Sequence, residues 1–371
     1  MNRDIRAKGY CKMELETISY QKVIDGYEPQ GDKYGFAAYS LANPRKTAFL
    51  SNPSLTDKSK AMLLFAREKG EIVGSCMNLP SRLKVGDDII ETVGGSALEV
   101  AENFRSSDAG ILLMAYNMQK KEYKATVASG FSRVAVKCHK ALGSYILTMP
   151  RFMQVRNYSK ILATTKMPFW VATLCGSVIN CLQSPFLYFA KLQGERKKRK
   201  YVVRQVERVP EWVNDIVLND GHKYMEVHDN HWLQWNLDNM FHSHEDNVNR
   251  FYTISENDNN IGFYMIKERH VLLKSKVDAI IGSIVEWGVS SKFQINEFDI
   301  QQMAMASFSP RVDVIYTASD DDNVIGKLKK PLFYRRGDVE VAFKDLCKKY
   351  RDANNKSLWR LRQGYADTIL G

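Results

Sequence analysis

A strand, a loop of small residues and a helix start follow one another in the stretch VAENFRSSDAGI, from Val100 to Ile111. The apolar lead-in predicts a strand, and the apolar run after Gly110 predicts a helix. The first N–H groups of a helix lack partners inside the helix, and together with the helix dipole they attract an anion. The stretch is therefore a candidate phosphate-binding loop, although the Asp108 carboxylate would repel a phosphate.

The loop resembles the cofactor loop of the GNAT acyltransferase superfamily. There, Arg or Gln, two residues, Gly, one residue and Gly or Ala lead into a Leu-rich helix. Arg105 and Gly110 match this pattern, whereas Ser106 and Asp108 stand where the superfamily has glycines. The stretch FSRVAVKCHKALGSYI, at residues 131–146, resembles the next part of the superfamily pattern. The resemblance covers about residues 70–150.

The resemblance implies a mixed α/β fold whose central sheet opens to admit acetyl-CoA or another acyl-CoA as co-substrate. An amine would attack the thioester directly, without a covalent enzyme intermediate and without a metal. The cofactor-binding residues that the resemblance implies are Val100, Arg105, Ser106, Ser107, Asp108, Ala109, Gly110 and Ile111.

His139 and Glu99 are the candidate catalytic residues. His139 stands where the superfamily often has a tyrosine that protonates the departing thiolate, and an imidazole can do the same chemistry. An amine nucleophile must lose a proton, and Glu99, on the strand before the loop, is a candidate base, with Glu91 and Glu102 as others. The alternatives are a histidine satisfied in the core or on a helix surface, and ordinary solvated carboxylates.

The elements that would position these residues are divided by one unusual segment. Residues 167–190 carry no charge, and the run from Arg196 to Lys200 is entirely basic. A buried helical connector between two domains is the favoured interpretation. An interfacial helix that holds anionic lipid through its basic flank is the second, and a membrane span is the third.

The parts on either side of this segment share a strand pattern. EKGEIVGSCM and ENDNNIGFYM align Gly74 with Gly262 and Met77 with Met265, and the later stretches GSALEV and GSIVEW begin at Gly95 and Gly282. This order indicates a duplicated domain. We expect a GNAT-like domain at residues 1–160, an apolar and basic connector at 161–203, and a second GNAT-like domain at 204–371.

Composition limits the class of protein. With 44% hydrophobic and 26% charged residues, the chain is globular and not disordered. Its net charge of +11 favours anionic partners. Six scattered cysteines and a charged N-terminus without a signal-peptide pattern favour the cytoplasm. Peripheral membrane contact through residues 167–200 is an option, and nucleic-acid binding has little support, because one basic run matches no nucleic-acid module.

Two other groups of residues could do chemistry. His228, His231, His242 and His244 lie near acidic residues, but their spacing matches no recurring zinc site and favours a polar surface. Near the C-terminus, Arg360, Arg362 and Asp367 flank an aromatic segment and are candidates for binding substrate.

Three hypotheses follow. The first is an acyl-CoA-dependent N-acyltransferase of the kind found near bacterial surface-polysaccharide pathways, acting on an amine of a small molecule or amino sugar. The second is a non-catalytic GNAT-like scaffold. The third is a Fem-type aminoacyl transferase, which would use aminoacyl-tRNA and would need a basic cleft across two such domains.

Overall fold

A computed structural model describes residues 13–118, 122–240, 244–274, 276–293, 295–328 and 331–364. His242 and Asp367 lie outside these residues. The strands of the described chain are β1 (Glu14–Ser19), β2 (Ala61–Glu68), β3 (Glu71–Val85), β4 (Asp88–Val100), β5 (Ala125–Ser129), β6 (Tyr145–Val155), β7 (Val202–Val206), β8 (Tyr224–Glu226), β9 (Val248–Glu256), β10 (Asn259–Leu273), β11 (Val277–Val289), β12 (Val314–Ala318) and β13 (Tyr334–Asp345). The α-helices are α1 (Tyr20–Ile24), α2 (Phe36–Ser40), α3 (Asn43–Leu50), α4 (Ala109–Asn117), α5 (Arg133–Ala141), α6 (Tyr158–Ala163), α7 (Phe169–Lys200), α8 (Val213–Leu218), α9 (Asn230–Asp238), α10 (Glu297–Ala306) and α11 (Asp322–Ile325).

All thirteen described strands belong to one mixed sheet. Its order is β1-β2-β3-β4-β5-β13-β6-β12-β11-β10-β9-β7, with β8 paired to β3. The order is symmetric about its centre. Counted from one end, β1, β2, β3, β4 and β5 correspond to β7, β9, β10, β11 and β12 counted from the other, and β13 corresponds to β6. The parallel pairs β4–β5 and β11–β12 occupy matching places. The fold is therefore mixed α/β with two halves of matching strand order, as predicted, and α7 is the helical connector between them.

The two halves exchange strands at the centre of the sheet. β13 comes from the end of the chain, yet it lies between β5 and β6, pairing with β5 from Val341–Ser129 to Asp345–Ala125. β6 in turn pairs with β12. Sequence patterns do not indicate this exchange, because alternation predicts a strand but not its neighbour. The domain boundaries at residues 160 and 204 stay a prediction.

The duplicated pattern is confirmed at the hairpins. Gly74 faces Val100 and Gly262 faces Val289, so the two glycines occupy the same place in their ladders. The alignment of Gly95 with Gly282 is wrong by two residues: Gly95 faces Asn78, four residues after Gly74, whereas Gly282 faces Glu268, six residues after Gly262. Each ladder contains one bulge residue between the two positions, so the bulges do not account for this difference, and Gly282 lies two residues further along its ladder than Gly95 does.

The favoured interpretation of α7 as a buried connector is wrong. Its inward face has only small buried residues, Ala172, Gly176, Ala190 and Gly194, which pack towards α6 and α10. Large apolar side chains project from the opposite side, and Phe169 and Trp170 are 76% and 71% exposed. A helix that packs through glycine and alanine approaches its support closely but covers only a narrow stripe of its own surface. The helix is long and apolar enough to cross a membrane by length and composition.

Phe343 of β13 anchors the exchange. It is fully buried, and its ring lies 5.2 Å from the Trp359 ring and 6.4 Å from the Tyr145 ring, centroid to centroid. β13 is thus held in the sheet by the apolar contacts of Phe343, and one of these contacts packs Trp359, near the C-terminus, against the sheet.

We expect Phe343→Ala to lower the free energy of unfolding by about 3–5 kcal/mol, because it leaves a cavity under the central strands. Urea unfolding followed by circular dichroism measures this change. Arg336→Ala, at an exposed position of the same strand, is the control and should shift stability by about 0.5 kcal/mol or less. A small effect of Phe343→Ala would show that β13 does not hold the sheet together.

Candidate active site

The sheet opens between β4 and β5. The two strands pair in parallel only at Thr92–Ala125 and Val93–Thr126, although β4 continues to Val100. Beyond these pairs β4 bulges: its register with β3 shifts, and Ala97 adopts a left-handed φ of 49°. A bulge bends its strand and increases the local twist, so the remaining part of β4 diverges from β5. The other edge of β5 is held by β13.

A cavity of about 380 Å³ fills the space between the diverging strands. It lies between β4, β5, α4 and α5. Its apolar lining is Val93, Ala97, Leu98, Met114, Met118, Ala128, Phe131 and Ala135, and its other side chains and glycines are Cys76, Gly95, Asn117, Thr126, Ser129, Gly130, Ser132 and His139. A mostly apolar cleft with a few polar groups is the usual form of a small-molecule site.

The predicted strand–loop–helix unit is present at one end of this cleft. β4 ends at Val100 and α4 begins at Ala109. A Cβ atom on Gly110 would lie 3.5 Å from Val100 Cγ2, so the end of the strand and the start of the helix are in contact. Arg105, Ser106, Asp108 and Ile111 are exposed, Ser107 and Gly110 are half-buried, and Ala109 is buried. The loop faces solvent and none of its residues lines the cavity, which contacts α4 at Met114, Asn117 and Met118, towards the other end of that helix.

Asp108 fits the loop without strain. Its φ is −78°, so the position does not need the left-handed freedom of glycine. The carboxylate is exposed. Asp108 occupies the N-cap position, but its side chain makes no capping hydrogen bond. The Ala109 N–H donates instead to Ser107 Oγ at 3.3 Å. What remains of the conflict with a phosphate is therefore electrostatic and not conformational.

His139 lies in the cavity wall. The ring is buried beside Phe131, with ring centroids 4.4 Å apart, and its Nδ1 lies 3.5 Å from Ser144 Oγ. Burial lowers the pKa of His139 to about 4. The imidazole is therefore neutral at pH 7, and it cannot serve as a charged proton donor there.

The predicted carboxylates lie elsewhere. Glu99 is exposed and does not line the cavity. Glu91 pairs with Lys60 at 2.7 Å and accepts from Thr56, and these bonds lower the pKa of Glu91. Glu102 is exposed at the start of a short 3₁₀ turn. Among the described residues that line the cavity, none is Asp or Glu.

The sequence did not point to most of the lining residues. Met114, Asn117 and Met118 have the i, i+3, i+4 spacing of one helix face, and that spacing is the signal that could have found them. Asn117 is buried, and its Nδ2 donates to Cys76 Sγ at 3.6 Å. Its Oδ1 has no hydrogen-bond partner among the described residues, so the amide presents an acceptor inside a largely apolar wall.

The corresponding cleft in the second half is filled by the protein itself. There, the segment around Arg360 and Arg362 runs beside the ends of β11 and β12 and the start of α10. Arg360 pairs with Glu297, and Arg362 pairs with Glu286. The Arg362 guanidinium lies 5.1 Å from the Trp287 ring centroid. These arginines therefore close the cleft of the second half. The sequence had suggested that they bind substrate.

His228 completes this buried network. It is stacked on Trp232 with ring centroids 3.5 Å apart, and it contacts Glu286 through Nδ1 and Glu226 through Nε2 at 3.2 Å. Burial alone would lower the pKa of His228, but the adjacent Glu286 carboxylate raises it to about 9. Burial opposes ionisation of Glu286 as well, yet Arg362 and His228 hold its pKa at about 2. The network is thus a set of paired buried charges, as burial requires.

The remaining histidines of the predicted cluster do not assemble. His231 and His244 are exposed, and His244 is stacked on His270. Within the described part of the chain, no group of three His, Cys, Asp or Glu side chains could hold a metal ion.

The charged form of His228 predicts a loss of stability at alkaline pH. An unfolded histidine has a pKa of about 6.5, below the folded value of about 9. The protonated ring therefore stabilises the fold fully below pH 6.5, and this contribution is lost as the pH rises through 9. We expect Tm to fall between pH 7 and 9.5, and to fall less in His228→Asn. His231→Asn, at an exposed site, should keep the wild-type profile. Identical profiles for His228→Asn and wild type would contradict the assignment.

Comparisons with known proteins agree with this geometry. No family model matches the sequence, and no curated protein matches it. Among solved structures, Saccharomyces cerevisiae N-myristoyltransferase with bound myristoyl-CoA aligns with a TM-score of 0.58 and 13% identity over 92% of this chain and 81% of that one. A GCN5-related N-acetyltransferase from Anabaena variabilis aligns with a TM-score of 0.53 and 9% identity over 90% and 73%. A probable N-acyltransferase from Enterococcus faecalis aligns with a TM-score of 0.50 and 11% identity over 90% and 72%. The chain has the fold of the GNAT acyltransferase superfamily.

Proposed function

We propose that the protein is an acyl-CoA-dependent N-acyltransferase whose active site is the cavity between β4 and β5. The observation that carries the proposal is the open cleft itself, which has an apolar interior and lies against the C-terminal part of α4 and the start of α5. The matching cleft in the second half holds Arg360 and Arg362. One half would therefore bind the donor, while the other supports the fold.

The donor would lie along the edge of β4 that faces β5. Beyond Val93, β4 has no pairing with β5 in the described ladder, so its backbone groups on that side can bind the amide groups of a pantetheine arm as an added strand would. The diphosphate would lie at the start of α4, where the N–H groups of Gly110 and Ile111 belong to the first helical turn. Arg105 is exposed in the same loop and supplies a positive charge.

The reaction would be a direct transfer. The amine nitrogen forms the new C–N bond while the C–S bond of the thioester breaks, and the proton lost by the amine balances the one gained by the CoA thiolate. Neutral His139 can donate one N–H hydrogen bond to the departing sulfur. A carboxylate base would have to come from outside the described lining, or the amine would enter already deprotonated.

The acceptor is an amine of a small molecule or amino sugar in this proposal. The scaffold alternative draws support from the same lining, because it contains no Asp or Glu among the described residues. The Fem-type alternative requires a basic cleft across the halves. It has less support, because Arg360 and Arg362 are paired with Glu297 and Glu286. Turnover separates the enzyme from the scaffold, since a scaffold would bind an acyl-CoA without releasing free thiol from it.

Filling the cavity should weaken donor binding. Ala128 is buried in the cavity wall, so Ala128→Phe places a ring where the acyl-pantetheine arm would lie. We expect acetyl-CoA affinity, measured by calorimetry, to fall by at least about tenfold, which corresponds to about 1.4 kcal/mol. Thiol release with a panel of amines should fall in parallel.

Val134→Phe is the matched control, because it introduces the same ring at a position of α5 that is 70% exposed and does not line the cavity. It should bind acetyl-CoA as the wild type does. If neither wild type nor control binds acetyl-CoA or longer acyl-CoA at millimolar concentration, the proposal is wrong. If they bind but no amine gives thiol release, the scaffold function is favoured.

Removing the Asp108 charge should strengthen CoA binding. Two like charges about 4 Å apart repel by about 1 kcal/mol in water, so Asp108→Asn should tighten CoA binding by up to about fivefold at low salt. Asp87→Asn is the control, since Asp87 is exposed in the turn at the opposite end of β4. Unchanged affinity in Asp108→Asn would place the diphosphate away from this loop.

A further inference from the structure

The outward face of α7 is an apolar surface that the proposed function does not use. Large side chains exposed on this side of the helix define the face: Trp170, Leu174, Val178, Leu182, Phe186, Tyr188 and Phe189. At 1.5 Å per residue these residues extend over about 30 Å. Monomeric soluble proteins rarely expose a continuous apolar patch of this kind unless it binds something.

The fold holds this face outward. A Cβ atom on Gly176 would lie 2.3 Å from Ser159 Cα, and one on Gly194 would lie 2.3 Å from the Gln302 carbonyl oxygen. The inward side of α7 is therefore in backbone contact with α6 and α10, and larger side chains could not replace these glycines. The Asn180 side chain also accepts from the Tyr158 N–H at 2.8 Å. Rotation of α7 to bury its apolar face would break all of these contacts.

Positive charge continues the same face. Arg196 lies seven residues after Phe189, and Lys200 lies four residues after Arg196, so all three project from one side of the helix. Arg196, Arg199 and Lys200 are exposed, whereas Lys197 pairs with Asp299 at 3.0 Å on the inward side. No acidic residue occurs between Met167 and Gly194. The outward face is therefore apolar along most of its length and basic at its C-terminal end.

We propose that the outward face of α7 lies in the surface of an anionic lipid bilayer, with the helix parallel to the membrane plane. Apolar and aromatic side chains enter the boundary between head groups and acyl chains, as in interfacial helices. The basic end contacts anionic head groups. This inference is independent of the proposed acyltransferase activity.

Two other arrangements fit the structure less well. A transmembrane orientation would have to bring α6 and α10 into the hydrocarbon, because they pack against the inward side of α7. A second copy of the chain would cover the apolar face, but each copy carries a net charge of +11. That charge opposes self-association and favours an anionic surface.

Sedimentation with lipid vesicles tests the proposal on the full chain. We expect binding to vesicles of phosphatidylcholine with 30% phosphatidylglycerol, and weaker binding to pure phosphatidylcholine or at high salt, because salt screens the head-group contacts. The double variant Leu174→Ser/Phe189→Ser should lose most binding to both vesicles. The triple variant Arg196→Gln/Arg199→Gln/Lys200→Gln should lose on the order of tenfold to a hundredfold in affinity for the anionic vesicles only.

The control is Lys33→Gln/Lys58→Gln/Lys349→Gln, which removes the same charge at exposed sites away from α7 and should keep most of the affinity. Circular dichroism checks that each variant is folded. Absence of binding to anionic vesicles would overturn the proposal. So would equal loss in the control triple variant, which would assign binding to net charge alone. Concentration-dependent dimers that disappear in the Leu174→Ser/Phe189→Ser variant, without vesicle binding, would overturn it in favour of a second copy.

Discussion

The short parallel pairing of β4 with β5 is the constraint on which the rest of the structure depends. Two residue pairs join these strands, and a strand held so weakly on one edge needs support on the other. β13 provides it through five pairs that reach from Val341 to Asp345. Because β13 comes from the far end of the chain, the second half of the chain supports the strand β5 that forms one wall of the cavity.

The two halves use the same opening in opposite ways. In the first, the space beside the Ala97 bulge stays empty of protein and has an apolar lining. In the second, Arg360 and Arg362 occupy it, with Glu297 and Glu286 as partners. Charged side chains can fill a buried space only when opposite charges pair with them, which explains the carboxylates at this place. One cleft is thus open, where we propose that the donor binds, and the other is closed by buried ion pairs.

Sequence reasoning found the loop but not the cavity. Val100 to Ile111 formed the predicted strand, turn and helix start, because apolar periodicity and small loop residues act locally. Ala97, Asn117 and Phe131 come together from three separate elements, and no local pattern relates them. The same difference applies to α7: its length and apolar composition were evident, but whether Trp170 faces the core or solvent depends on which side packs against α6 and α10.

By itself, the sequence determined the class of fold, the duplicated strand pattern, the cofactor-like loop and the long connector helix. These follow from short-range preferences and from a resemblance carried by a few residues such as Arg105 and Gly110. Only the tertiary structure decided that β13 crosses between the halves, that one cleft is open and the other filled, and that His139 is neutral. Strand neighbours, buried ion pairs and pKa shifts arise from contacts between distant residues, and the energy of such contacts depends on burial, which exists only in the folded chain.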